Sequence, residues 1–297
     1  MKIFAPSYYE NFRCIAGKCQ HNCCIGWEID IDTDTLDYYR SLNNDFGNEI
    51  MKNISIGDVP HFKLTENDRC PFLNQKGLCD IFSNLGEGAL CQICSDHPRF
   101  KNYYDTRVEF GLGLCCEAAA EIILNNKRKF SLVVIDDDDS QEFDNQTEAD
   151  LLFMRDSLFE LLNKELSFSD KVTTIIEKYE LVFKNIQTEY WRDIFLNLER
   201  LDNSWDVALY KLKNKESFLL EHNDVELSNI LNYFIYRHFI NISLEFDVSL
   251  ALKFCILSCY IISGILDSKD ELPNIARMYS SEIEYSDENI YEIIKAL

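Results

Sequence analysis

Along residues 148–297 apolar positions recur at helical spacing, first at Leu151, Leu152, Met154, Leu158, Leu161 and Leu162, later at Leu227, Ile230, Leu231, Phe234 and Ile235. Steps of three and four place such side chains on one helix face, so this half reads as an all-helical domain. The most apolar stretch, residues 254–266, is shorter than the roughly 18 to 20 residues needed to cross a bilayer and reads as a buried helix. Residues 1–130 are patterned differently. Short apolar pieces are interrupted by turn residues, as in Asn43-Asn44-Asp45, Asn74-Gln75-Lys76-Gly77 and Leu85-Gly86-Glu87-Gly88, which predicts short helices and many loops. Between the halves runs Asp136-Asp137-Asp138-Asp139-Ser140-Gln141-Glu142, a like-charge segment expected to be solvated. The pattern thus predicts a mainly α protein with a loop-rich domain over residues 1–130, an acidic linker over 131–147 and a helical domain over 148–297.

Composition changes this picture in two ways. The chain of 297 residues carries 29 Lys and Arg against 51 Asp and Glu, a formal net charge of -22. Such a balance repels polyanions and removes the counterion release that drives nucleic-acid binding, so neither nucleic acid nor an anionic membrane surface is an expected partner. The second change concerns cysteine. Ten of the twelve cysteines, nine of the ten glycines and four of the five prolines fall in residues 1–130, so the chemistry is concentrated there. Met1 to Glu10 shows no continuous apolar core of the secretory type, which predicts a cytoplasmic protein. Dense cysteine in a reducing compartment points to metal or catalysis rather than disulfides.

The cysteines run Cys14-x4-Cys19-x3-Cys23-Cys24, then Cys70 and Cys79 around a Gly77 turn, then Cys91-x2-Cys94, then Cys115-Cys116. Thiolates select zinc, copper(I) or iron-sulfur clusters over calcium and magnesium. Structural zinc usually shows two short knuckles, and only Cys91/Cys94 and Cys19/Cys23 approach that spacing. Dispersed segments and adjacent cysteine pairs suit a polynuclear iron-sulfur cluster better, with zinc the alternative and redox or structural thiols a third. The Cys-x3-Cys-x2-Cys spacing of radical enzymes is absent, because Gly26 stands where its third cysteine would be. Cys255 and Cys259 are one turn apart on the apolar run and read as core.

Specific residues also carry a family resemblance. Phe12-Arg13-Cys14, Cys19, Cys23-Cys24-Ile25-Gly26-Trp27-Glu28-Ile29, Asp32, Cys70-Pro71-Phe72-Leu73, Gly77-Leu78-Cys79, Leu85-Gly86, Cys94 and Pro98-Arg99 together resemble the flagellin lysine N-methylase family. The likeness continues at Glu109-Phe110-Gly111-Leu112 and at Cys115-Cys116-Glu117-Ala118-Ala119, where Cys116 stands in a position usually held by proline. It covers residues 1 to about 125 and fades beyond. The resemblance implies methyl transfer from S-adenosylmethionine to lysines of flagellin, with a cysteine-ligated cluster of the 4Fe-4S kind. The ligand set it implies is Cys14, Cys19, Cys23, Cys24, Cys70, Cys79, Cys94 and Cys115. Cys91, Cys116, Cys255 and Cys259 fall outside that set.

Lysine must lose its proton before methylation, and its ordinary pKa of about 10.4 calls for a desolvating pocket or an acceptor. Glu109, Glu117, Tyr103 and Tyr104 lie beside the matched motifs and are the candidate acceptors, each with a surface or packing role as the ordinary explanation. No Gly-x-Gly-x-x-Gly fingerprint follows a strand, so the S-adenosylmethionine site has no sequence address. His97 is a possible nitrogen ligand or a packing residue, Arg99 an ion-pair partner, and Trp27 a core residue over the metal site. The rival readings are a noncatalytic metal-binding module and a redox protein.

Overall fold

The computed structural model describes residues 1–137, 144–185, 187–212 and 224–297. The chain opens with strand β1 (Lys2–Pro6), then enters a run of short elements: α1 (Thr33–Ser41), α2 (Asp45–Lys52), β2 (Ile54–Ser55), β3 (His61–Phe62), α3 (Asp80–Leu85) and α4 (Gln92–Asp96). Strands β4 (Arg99–Tyr103) and β5 (Val108–Leu112), helix α5 (Glu117–Leu124) and strand β6 (Leu132–Asp137) follow. The rest is helical among the described residues: α6 (Gln146–Leu162), α7 (Phe168–Lys178), α8 (Thr188–Leu196), α9 (Ser204–Leu209), α10 (Asp224–Glu245), α11 (Val248–Ile265), α12 (Leu272–Ile283) and α13 (Asp287–Ala296). The protein is mainly α, as the patterning predicts.

Two compact units emerge, one made of Met1–Phe12 with Phe100–Leu297 and the other of Arg13–Arg99. This differs from a division into 1–130 and 148–297. The reason is strand pairing: β1 lies between β5, to which it is parallel, and β6, to which it is antiparallel, in the order β4-β5-β1-β6. The first residues therefore belong with the helical unit, and residues 13–99 form an insertion in it. The expected linker is also redrawn. Its residues 132–137 are the edge strand β6, paired with β1 from Leu132 to Asp137, while residues 138–143 of that segment lie outside the described residues.

In the larger unit α10 is buried almost continuously from Leu227 to Ile240, and α11 from Ala251 to Ile265. A helix apolar around its whole circumference belongs in a core, and these two pack against each other with α5, α6 and α12 around them. Helix α11 is long and apolar enough to cross a membrane by length and composition, but most of it is enclosed by the unit. The smaller unit has its own core, built on Ile29, Ile31, Leu36, Tyr39, Ile50, Ile54, Phe62, Phe72 and Ile81.

Candidate metal centre

Three local structures carry cysteines into the core of the Arg13–Arg99 unit. The first is the segment 69–80. Asn74 Oδ1 accepts hydrogen bonds from Lys76 N (2.9 Å) and Leu78 N (3.1 Å), and Gly77 takes a φ of 71°, a conformation that disfavours a Cβ. The chain then turns back so that Leu73 bridges Cys79 and Asp80 N donates to Phe72 O at 2.8 Å. Cys70 and Cys79 are thereby brought close enough for their thiols to interact electrostatically. Burial raises the pKa of both thiols, and the backbone N–H groups just downstream, Phe72 and Leu73 for Cys70 and Ile81 and Phe82 for Cys79, oppose that rise.

The second local structure is the 22–27 loop. Asn22 Oδ1 accepts from Cys24 N at 2.9 Å, and Trp27 Nε1 donates to Cys23 O at 2.6 Å. Cys70 N donates to Cys24 O at 2.8 Å, which fixes this loop beside the first. The third is the start of α4. Asp32 caps α1 through Thr35 N (2.9 Å) and also accepts from Gln92 N (2.7 Å), so one carboxylate ties the starts of α1 and α4 together. Burial alone would raise the Asp32 pKa, but these N–H donors outweigh it and lower it.

Five cysteines share this core: Cys70 and Cys91 are buried, and Cys24, Cys79 and Cys94 pack against them partly buried. Their thiols interact electrostatically, Cys24 and Cys94 each with Cys70 and Cys79. Interaction between the Cys91 and Cys94 thiols lowers the pKa of Cys91 and raises that of Cys94, and interaction with the Cys24 thiol brings Cys23 down to about 7. Burial raises Cys70 to about 11. Among the described residues no three His, Cys, Asp or Glu side chains are arranged to hold a single metal ion. The thiols form a neighbourhood around one apolar core rather than a closed shell. An all-sulfur donor set fits zinc or an iron-sulfur cluster and does not fit a hard cation.

The ligand set implied by resemblance is thus brought together only in part. Cys24, Cys70, Cys79 and Cys94 meet, with Cys23 beside Cys24, whereas Cys14 is exposed and Cys19 half-buried outside that core. Cys115 belongs to the other unit, where its Sγ lies 3.0 Å from Tyr285 Oη. Cys91, left out of that set, is among the gathered thiols. Its Cys91-x2-Cys94 spacing was the available signal, and the structure gives it weight. Cys255 and Cys259 are buried on α11 as expected of core residues, and Trp27 packs against the smaller core.

The acceptor candidates fare differently. Glu109 is fully buried in ion pairs, with Arg155 at 2.6 and 2.7 Å and with Arg107 Nε at 2.9 Å. Burial would lower the Arg155 pKa, but Glu109 together with Tyr104 and Tyr236 raises it above its ordinary value. The Glu109 carboxylate is thus enclosed and engaged by two guanidiniums of its own unit. Tyr104 is buried beside that cluster, and burial raises its hydroxyl pKa. Tyr103 is 72% exposed, and Glu117 sits half-buried in the first turn of α5. His97 is held neutral, burial lowering its pKa to about 4. A second polar network was not legible in the sequence. Glu284 accepts from Tyr233 Oη (2.8 and 3.0 Å), pairs with His238 Nε2 (2.5 Å) and lies 3.4 Å from Arg237 Nε. An open groove of about 490 Å³ between α8 and α13 is lined by Tyr190, Asp193, Glu292 and Lys295, none of them singled out by the sequence.

The arrangement defines the class: a mainly α protein with a cysteine-rich inserted unit whose thiols gather in one core. Two lysine-N-methylases, from Salmonella choleraesuis and Salmonella typhimurium, are each 30% identical to it over 123 residues, 38% of this chain and 30% of theirs. The flagellar biosynthetic protein FliU of Salmonella muenchen is 30% identical over 123 residues, covering 38% of this chain and 72% of that protein. The chain belongs to the family of these proteins. It matches less than a third of the length of the two lysine-N-methylases. No family model matches the chain, and no solved structure does.

Proposed function

We propose that this protein transfers methyl groups from S-adenosylmethionine to lysine side chains of flagellin, and that its Arg13–Arg99 unit holds an iron-sulfur cluster, with zinc as the alternative occupant. The observation that carries the enzymatic reading is the kinship with proteins named lysine-N-methylase. The flagellar substrate is supported by the FliU relative. In the reaction the neutral lysine Nζ forms a bond to the methyl carbon, the methyl–sulfonium bond breaks, S-adenosylhomocysteine leaves, and a proton passes from Nζ to an acceptor. With Glu109 engaged by two arginines, Tyr103 and Glu117 are the candidates whose side chains reach solvent. The acidic balance of the chain favours approach of a lysine-bearing segment.

Cys24, Cys70, Cys79 and Cys94 are the residues that would hold the cluster, which would supply a one-electron couple when bound. Their gathering inside one unit equally favours a second reading, a metal-binding or redox module without catalysis. Mass spectrometry of flagellin lysines after incubation with metal-loaded protein and S-adenosylmethionine separates the two. Methyl addition that disappears when metal is removed from still-folded protein is the expected result. No addition by fully loaded protein would leave the noncatalytic module as the function.

A further inference from the structure

Of the five thiols gathered in the smaller unit, the one that resemblance leaves out is the most deeply buried. Cys91 is 1% exposed in the core of its unit, where Cys94 is also packed. It stands immediately before α4, whose start is tied to α1 by Asp32. From α1, Tyr39 reaches back with its ring fully buried against Phe62, at 6.3 Å between centroids. Its hydroxyl donates to Ala89 O at 2.6 Å and lies 3.8 Å from Cys91 Sγ. Thus α1 aims one polar group at one sulfur, and Asp32 fixes both ends of that contact. A buried tyrosine hydroxyl normally needs only one partner, and Ala89 O already provides it. The second contact, to Cys91, is what this position adds.

We propose that Cys91 is a ligand of the bound metal centre and that Tyr39 is its positioning residue, its hydroxyl hydrogen-bonded to the ligating sulfur. This rests on the reading of Arg13–Arg99 as a metal-holding unit. As a free thiol Cys91 can donate its own proton to Tyr39 Oη. As a thiolate it can only accept, so the hydroxyl proton is then shared between Ala89 O and Sγ. Hydrogen bonds to cluster sulfurs stabilise the more negative, reduced state and raise the reduction potential.

The test uses the full chain reconstituted anaerobically with iron and sulfide, with metal and sulfide content, visible absorption, circular dichroism and redox titration read on the same samples. Cys91→Val fills the same space with an apolar side chain. It is expected to keep its helical signal and lose most of its iron, while Cys255→Ala keeps wild-type iron. Tyr39→Phe is expected to keep iron and shift the potential to more negative values. Full iron content in Cys91→Val overturns the ligand assignment, and an unchanged potential in iron-loaded Tyr39→Phe overturns the role of Tyr39. Failure of the wild-type chain to retain any metal would instead defeat the underlying reading, and this proposal with it. A Cys91→Val chain without helical signal is replaced by Cys91→Ser, which is judged by the same iron content.

Discussion

At the scale of single residues, the buried charges of the larger unit are explained by what they hold together. Glu109 is tied to Arg155 and Arg107, and Arg155 also faces the rings of Phe159 and Tyr236, each at 5.4 Å. Removing one member leaves an uncompensated charge, so Glu109→Gln should destabilise the protein by about 3–5 kcal/mol in chemical denaturation. Tyr103→Phe, on an exposed ring, should leave stability unchanged. A proton-acceptor role for Glu109 would show instead as lost methylation in a variant of unaltered stability. The Glu284 network makes a second prediction. Burial lowers the His238 pKa, with the Glu284 hydrogen bond opposing it, and Arg237, Tyr233 and Cys255 lie around the same carboxylate. The folded state therefore resists a proton that the unfolded chain accepts at about pH 6.5. Stability is held above that value and falls as pH drops below it. Burial would raise the Glu284 pKa, but Arg237 and His238 lower it, which adds a further loss below about pH 4.3. Denaturation midpoints from pH 7.5 to 5 should decline in the wild type and decline less in His238→Gln.

At the scale of elements, short polar segments are held by long helices. Glu148, in the first turn of α6, is buried and accepts from Asp105 N (2.7 Å), Thr106 N (2.9 Å) and the Thr106 hydroxyl, closing the turn between β4 and β5. Glu148→Ala leaves those donors without a partner and should cost about 1–3 kcal/mol. Hydrogen exchange at Asp105 and Thr106 should quicken in that variant before exchange in α10 does. Asn229 on α10 likewise donates to Leu124 O (3.0 Å) and Asn126 O (2.9 Å), capping the end of α5 from outside it. Helical spacing predicted α6, α10 and α11, because a buried face leaves a periodic trace. The turn at Gly77 was equally legible, since a glycine after Asn-Gln-Lys marks a chain reversal. The β-sheet was not: β2 and β3 have two residues each, and β1 finds its partners more than a hundred residues away.

At the scale of the whole molecule, the expected cut between two halves falls inside one unit. Helix α5 packs on α10 and α12, and Glu109 of β5 pairs with Arg155 of α6, so these contacts join residues on either side of the acidic segment. A chain cleaved at a protease site introduced between Asp138 and Phe143 should therefore stay associated in native size-exclusion chromatography and separate only in denaturant. Elution of the two pieces as separate folded species would restore the division at the acidic segment. On the proposed metal-holding role of residues 13–99, metal should in either case travel with the piece that contains them, which metal analysis of the separated fractions can verify.

What the sequence determined by itself is local and periodic: the helical second half, the turns of the first half, and a concentration of thiols whose chemistry excludes hard cations. These properties are written within a few residues of one another, in spacing and side-chain type. The tertiary structure alone decided which thiols meet and which carboxylates are spent. Cys91 joins Cys70 and Cys79 because Asp32 ties α4 to α1, and Glu109 is neutralised by an arginine 46 positions along the chain. Such pairings depend on how distant segments fold against a common core, and neither partner carries a mark of the other in its own neighbourhood.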